Sequence, residues 1–320
     1  GGNSNAVANK INSNVKNIFT TELAFAALKE DGSVVTWGAD PWDQDTGLDS
    51  SSVAHRLNSG VSTIFSTRKA FAALKTDGSV VTWGRNNFGG DSSSVSSQLT
   101  QDVIKIYPAQ YAFAALKSDG SVVTWGLSGN SSPPSSNGDT YGGDSSAVAS
   151  QLKSGVKDIV SNPDAFAALK ENGSVITWGL GLSASYNFGG DSSEVSNQLV
   201  SGVTKIFSNT VSFAALKDDG SVVTWGEASG GGDSSTVATQ ISEGVVNIFS
   251  TDYSYAALKD DGSIITWGNS STGGDSSAVA SQLSSDVVGL ADPFTDDWLA
   301  TNYKLNNSSK ASDIVNEWFG

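Results

Sequence analysis

Apolar positions fall in short continuous runs, the longest about six residues (Leu23 to Leu28), between Ser-, Asp- and Gly-rich segments. Three kinds of run recur, and each reads as a short strand. The first is Val-x-x-Ile-Phe, as at Val61, Ile64 and Phe65 or at Val203, Ile206 and Phe207. The second is Ala-Phe-Ala-Ala-Leu-Lys and the third Ser-Val-Val-Thr-Trp-Gly. Between the second and third stands Asp-Gly (Asp77-Gly78, Asp119-Gly120) or Asn172-Gly173. That pair predicts a hairpin, because glycine supplies the positive φ the turn needs. The runs are continuous rather than alternating, which predicts strands covered on both faces. Ahead of each first strand, Asp-Ser-Ser precedes Val and then Leu or Ile four residues on (Val95 and Leu99, Val148 and Leu152, Val237 and Ile241). This spacing predicts a short helix with one apolar face, capped by the Asp or Ser before it.

These signals are one repeated unit. Thr-Trp-Gly recurs with its tryptophan at Trp37, Trp83, Trp125, Trp178, Trp225 and Trp267. Gly-Gly-Asp-Ser-Ser begins at Gly89, Gly142, Gly189, Gly231 and Gly273, with degenerate versions at Gly1 and Gly47. Six units of 38 residues result, at 1–38, 47–84, 89–126, 142–179, 189–226 and 231–268, followed by a partial one at 273–290. Connections between them are 8, 4, 15, 9, 4 and 4 residues long, so all length variation falls at one point of the unit. A period of about 40 residues with three short strands predicts an all-β fold, a β-propeller with one short helix per repeat. The first hairpin strand's Ala-Ala suits the crowded inner part of a tapering ring.

The pattern Val-x-x-Ile, a loop, then Ala-Leu-Lys-x-Asp-Gly-x-Val-x-x-Trp-Gly resembles the repeat of the regulator-of-chromosome-condensation family. Units led by Ser-Gly-Val (Ser59-Gly60-Val61, Ser154-Gly155-Val156, Ser201-Gly202-Val203) are similar to the family's bacterial, secreted β-lactamase-inhibitor type. The resemblance covers residues 1 to about 290 and implies a closed propeller, commonly of seven blades. Seven blades need the partial unit and the divergent tail, 291–320, to close or cap the ring; a six-bladed ring is the alternative. In the tail, Ala311, Ile314, Val315, Trp318 and Phe319 have helical spacing, while Lys310 and Trp318 keep the eight-residue separation of Lys259 and Trp267.

The chain has 33 acidic against 18 basic residues, a net charge of −15, one histidine and no cysteine or methionine. A clustered basic surface for nucleic acid is missing, as are disulfides and thiolate chemistry, and no run approaches the ~20 apolar residues that span a bilayer. Without methionine the chain reads as a processed or excised segment. Gly-Asp-Ser-Ser invites comparison with serine hydrolases, but a serine nucleophile needs a base, and His55 is the one histidine beside seven copies of the motif. Asp91, Asp144, Asp191, Asp233 and Asp275, with Asp49, read as caps; calcium is the other chemistry such a set allows. Asp40, Asp43 and Asp45 cluster in one connection. No cofactor is implied. The repeated lysines (Lys29, Lys75, Lys117, Lys170, Lys217, Lys259) sit at the hairpin turn, and the six motif tryptophans read as packing between blades.

Variation at fixed length is the functional signal. Six triplets between the first and second strands change in every unit: Thr21-Glu22-Leu23, Thr67-Arg68-Lys69, Ala109-Gln110-Tyr111, Asn162-Pro163-Asp164, Asn209-Thr210-Val211 and Thr251-Asp252-Tyr253. Repeat symmetry places them on one rim. Tyr111, Tyr253, Arg68 and Lys69 are the contact residues expected there, with Trp42 and Tyr141 in the connections as a second, opposite set. In the resembled inhibitor, loops at one end of the ring form the partner surface. The reading is a non-enzymatic, secreted or cell-surface bacterial module that binds a protein or glycan. The alternatives are a structural or adhesive subunit that packs on copies of itself and, as in eukaryotic members of the resembled family, nucleotide exchange on a small GTPase.

Overall fold

The structure, a computed structural model, describes residues 3–38, 49–127, 141–181 and 187–287. Over them run six three-stranded antiparallel sheets, one per complete unit, each with its strands in chain order. Sheet 1 comprises Val15–Thr20, Ala24–Lys29 and Val34–Gly38. Sheets 2 to 6 begin with Val61–Ser66, Val103–Pro108, Val156–Ser161, Val203–Ser208 and Val245–Ser250. Their second strands are Ala70–Lys75, Ala112–Lys117, Ala165–Lys170, Ser212–Lys217 and Ser254–Lys259. Val80–Gly84, Val122–Gly126, Val175–Gly179, Val222–Gly226 and Ile264–Gly268 complete them.

The hairpin forms where Asp-Gly predicts it. In sheet 2, Gly78 N–H donates to the Lys75 carbonyl at 3.0 Å and Lys75 N–H to the Ser79 carbonyl at 2.9 Å. Gly78 has φ +77°, so a tight turn ends on a left-handed residue that only glycine adopts cheaply. Asp77 Oδ1 holds the turn by accepting the Ser79 N–H at 2.9 Å and hydroxyl at 2.6 Å. The repeated lysines are drawn into this end as well: Lys170 Nζ donates to the Gln151 carbonyl at 2.7 Å and Lys259 Nζ to that of Gln240 at 2.8 Å.

Consecutive sheets stack face to face, each on the next. Alternate residues of one second strand serve two interfaces, which is why that strand has no polar face. Ala70, Ala72 and Leu74 pack with Val103, Ile106, Phe113 and Trp125 of sheet 3. Phe71 and Ala73 pack with Ala24, Ala26 and Leu28 of sheet 1. Within each sheet the motif tryptophan stacks on the second-strand aromatic ring, as in Phe113–Trp125 with centroids 5.2 Å apart. Its indole N–H donates to the first glycine of its own unit's Gly-Gly-Asp-Ser-Ser: Trp125 to Gly89 at 3.0 Å, Trp178 to Gly142 at 3.2 Å, Trp225 to Gly189 at 3.1 Å. For Trp83 the corresponding residue, Gly47, lies outside the described residues. A Cβ on Gly142 would sit 2.4 Å from the Phe166 ring, so this glycine is needed for close approach as well as for its φ of +87°.

Asp-Ser-Ser is architectural at every described copy. Asp49, Asp91, Asp144, Asp191, Asp233 and Asp275 each accept the backbone N–H two residues on, at 2.7 to 2.9 Å. The following serine meets the threonine of Thr-Trp-Gly, as in Thr82 Oγ1–Ser92 Oγ at 2.9 Å and Thr124 Oγ1–Ser145 Oγ at 2.9 Å. The segment after it is a 3-10 turn of three or six residues rather than a helix with an apolar face. Leu57, Leu99, Leu152, Leu199 and Ile241 are buried from the turn's end.

Six sheets match the six-bladed alternative rather than the preferred seven. The seventh unit is described to Val287, whose N–H donates to the Gly262 carbonyl at 3.0 Å as Val61 does to Gly32. The divergent tail, 291–320, lies outside the described residues, as do Trp42 and Asp40, Asp43 and Asp45. Ring closure is not seen among the described residues: sheets 1 and 6 share no interface comparable to the others. Accordingly Ile18 is 57% exposed, whereas its equivalents Ile64, Ile106, Ile159, Ile206 and Ile248 are 1–5% exposed.

Candidate functional site

The triplets divide by position into three jobs. In four of the six triplets the first residue's side chain caps the turn; Ala109 has no group to do so, and Thr251 donates its hydroxyl to the Thr272 carbonyl instead. Asn162 Oδ1 accepts the N–H groups of Asp164 and Ala165 at 3.0 and 2.7 Å while its Nδ2 donates to the Phe188 carbonyl at 2.7 Å. Asn209 does the same with Val211, Ser212 and Gly230. In Thr21 and Thr67 a hydroxyl takes the accepting role. The middle residue carries backbone links between sheets: Glu22 N–H to Arg68 C=O at 3.0 Å, Arg68 to Gln110 at 3.1 Å, Gln110 to Pro163 at 2.8 Å, and Thr210 to Asp252 at 3.1 Å. Its third residue pairs with the connection after Thr-Trp-Gly, through Arg85 N–H to Lys69 C=O, Leu127 to Tyr111, Leu180 to Asp164, Glu227 to Val211 and Asn269 to Tyr253.

Triplets and connections therefore share one rim, which corrects the expectation of opposite sets. Antiparallel hairpins require it: the third strand ends beside the start of the second. Tyr141 lies against Tyr111, with centroids 5.0 Å apart, and Tyr111 against Phe88 at the same distance. Lys69 and Arg85 stand 5.7 Å from the Phe88 centroid. Arg68 forms a two-bonded ion pair with Glu22, at 2.8 and 3.1 Å, both side chains 43% exposed. Four of the expected contact residues, Tyr111, Arg68, Lys69 and Tyr141, thus belong to one cluster whose members engage each other.

Tyr253 lies elsewhere on the rim, 40% exposed. It lines a groove of about 860 Å³ formed by the triplets of sheets 3 to 6 and the ends of their first strands. Its lining includes Gln110, Asn162, Pro163, Asp164, Thr210 and Asp252 and contains no lysine, arginine or histidine. Burial without a compensating cation pushes the Asp164 carboxyl up to about 6. Sequence reasoning passed over Asp164; as the one acidic third residue among the triplets, it was visible there. His55 is exposed and far in sequence from this groove. Groups of three or more His, Asp or Glu side chains able to hold a metal are not found among the described residues.

No protein-family profile and no curated protein matches the chain. Among solved structures, yeast RCC1 (Prp20), solved bound to Kap60, is 14% identical with a TM-score of 0.41, over 79% of this chain and 70% of that one. The ectodomain of the Physcomitrella patens receptor kinase CR4 is 14% identical with a TM-score of 0.36, over 80% and 61%. The computationally designed Ika8 protein is 11% identical with a TM-score of 0.35, over 79% and 70%. At these values the likeness extends to neither function nor ligands.

Proposed function

We propose that the protein is a non-enzymatic binding module that recognises a partner protein through the triplet rim. One observation carries this reading. The rim backbone is fixed by caps and inter-sheet bonds, while its third-position side chains, of five kinds over six units, vary freely and border a groove with an exposed tyrosine. Rigid scaffold with free side-chain chemistry is what a recognition surface requires. The acidic charge and lack of cysteine fit a secreted or cell-surface setting, which fractionation of the source cells would check.

The test is to probe peptide and glycan arrays with labelled protein, then titrate the hits against variants. Tyr253→Ala should weaken a rim-bound ligand at least tenfold, the loss typical of an anchoring aromatic. Glu243→Gln, on the opposite, hairpin-turn rim, should leave binding unchanged. Equal binding by parent and Tyr253→Ala would place recognition elsewhere. A hit confined to glycans would move the partner class from protein to carbohydrate.

A second reading, a subunit that assembles with copies of itself, draws on the face of sheet 1 around Ile18, against which no other sheet packs among the described residues.

A further inference from the structure

The inter-sheet links of the rim have one break. Middle residues of adjacent triplets are joined N–H to C=O from Glu22 to Pro163 and again from Thr210 to Asp252. Pro163 has no N–H, so it cannot donate to Thr210, and the Thr210 carbonyl accepts no bond among the described residues. The groove lies over this break.

Most of its other polar side chains donate inward, to backbone carbonyls. Ser161, Ser208 and Ser250 donate their hydroxyls to the carbonyls of Pro108, Ser161 and Ser208 at 2.7, 3.0 and 2.9 Å. Asn162 and Asn209 donate their amides to Phe188 and Gly230. Thr251 donates to the Thr272 carbonyl at 2.9 Å. The residues that line the groove are consequently rich in acceptors: Asp164 and Asp252 bring carboxylates, and Thr210 its open carbonyl. Asp164 is partly buried and has no cation on the lining, so its charge is poorly compensated within the protein. Beside them stands Tyr253, 40% exposed, an aromatic ring of the kind whose face attracts a cation.

We propose that this groove takes a cationic side chain, lysine ammonium or arginine guanidinium, presented by an extended segment of a partner protein. Asp164 supplies the counter-charge, the Thr210 carbonyl accepts a hydrogen bond, and Tyr253 forms the aromatic wall. This rests on the reading of the rim as a binding face and adds the chemistry of what binds there. A divalent ion suits the groove less well, since only two carboxylates line it and hard cations take six or more oxygen ligands.

The experiment measures fluorescence polarisation of labelled Gly/Ser-flanked peptides whose central residues are lysine, arginine or acetyl-lysine. Lysine or arginine peptide should bind, and the acetyl-lysine peptide at least tenfold more weakly. Asp164→Asn should weaken the cationic peptide at least tenfold, with the fold checked by circular dichroism. Affinity should fall as pH drops through the Asp164 range, near 6 in the free protein; Asp252 and Tyr253 are the other titratable groups on the lining. Excess spermidine should displace the peptide poorly, because the groove also holds the flanking chain. Equal binding of the acetyl-lysine peptide, unchanged binding by folded Asp164→Asn, no binding of any peptide, or full displacement by spermidine would each overturn the proposal. If array ligands are lost with Tyr253→Ala but not with Asp164→Asn, the rim remains the binding face and only the cationic chemistry fails.

Discussion

Trp125 does three jobs with one side chain: it stacks on Phe113, fills the interface with sheet 2 and donates to Gly89. Trp125→Ala removes all three and leaves a cavity against alanines that cannot move in to fill it. The expected loss is ~3–5 kcal/mol, read as a lower urea midpoint. Paired exceptions to the repeat show the same economy. Where sheet 6 carries Tyr255 instead of phenylalanine, its hydroxyl donates to the Ser212 carbonyl at 2.8 Å, and Ser212 itself replaces an alanine. Asp164 is the opposite case, a carboxylate that stability alone would not choose. Its folded value, about 6, stands above the ordinary 3.8. Between those values the folded protein binds more protons than the unfolded chain, so stability falls as pH rises from about 4 to about 6 and stays lower above. Asp164→Asn removes this dependence. At pH 7 the variant should be more stable by ~1–2 kcal/mol, less than the ~3 kcal/mol of the full shift because water reaches part of the side chain. At pH 4 the two proteins should melt alike. A variant no more stable at pH 7 would mean that the carboxylate has a partner in solution.

At the scale of elements, each sheet is closed locally and joined to the next by backbone bonds at the hairpin end and, except between sheets 4 and 5, by one at the triplet rim. The triplet links make a direct prediction for amide exchange. Arg68, Gln110 and Thr210 occupy surface turns yet donate across sheets, so their amides should exchange slowly, on the timescale of sheet separation. Rapid exchange at all three would show that the rim backbone is not fixed, and with it the basis of the binding face would go. Strands, hairpins and the role of Asp-Ser-Ser were legible because each rests on a local signal: a continuous apolar run, Asp-Gly, an aspartate two residues before an N–H. Thr and Asn leading five of the six triplets carried a turn-cap signal too, so Thr67, Asn162 and Asn209 could have been set aside as structural. That triplets and connections share one rim followed from hairpin geometry; that Tyr141 returns to Tyr111 across a 15-residue connection did not. The groove was different. Its open carbonyl belongs to Thr210 but arises from the missing N–H of Pro163, one sheet away, and only the stacking brings the two together.

Over the described residues the six sheets form a stack, in which each interior sheet packs on two neighbours and sheets 1 and 6 on one. Ile18 is where this shows. Its equivalent in sheet 2, Ile64, is 2% exposed in the core between sheets 1 and 2, whereas Ile18 is 57% exposed. The same substitution at the two positions separates local from collective effects. Ile64→Lys buries an ammonium in an apolar interface, a cost of several kcal/mol, and should split the stack or prevent folding. Ile18→Lys changes a side chain already in water, so the monomer's unfolding midpoint should move by no more than ~0.5 kcal/mol. If Ile18→Lys instead destabilises the monomer as Ile64→Lys does, sheet 1 is covered within the same chain and the stack closes on itself. If monomer stability holds but sedimentation shows a concentration-dependent oligomer in the parent and none in the variant, the face of sheet 1 around Ile18 is where copies meet. A parent that stays monomeric, with Ile18→Lys silent, leaves recognition at the triplet rim as the function this stack supports.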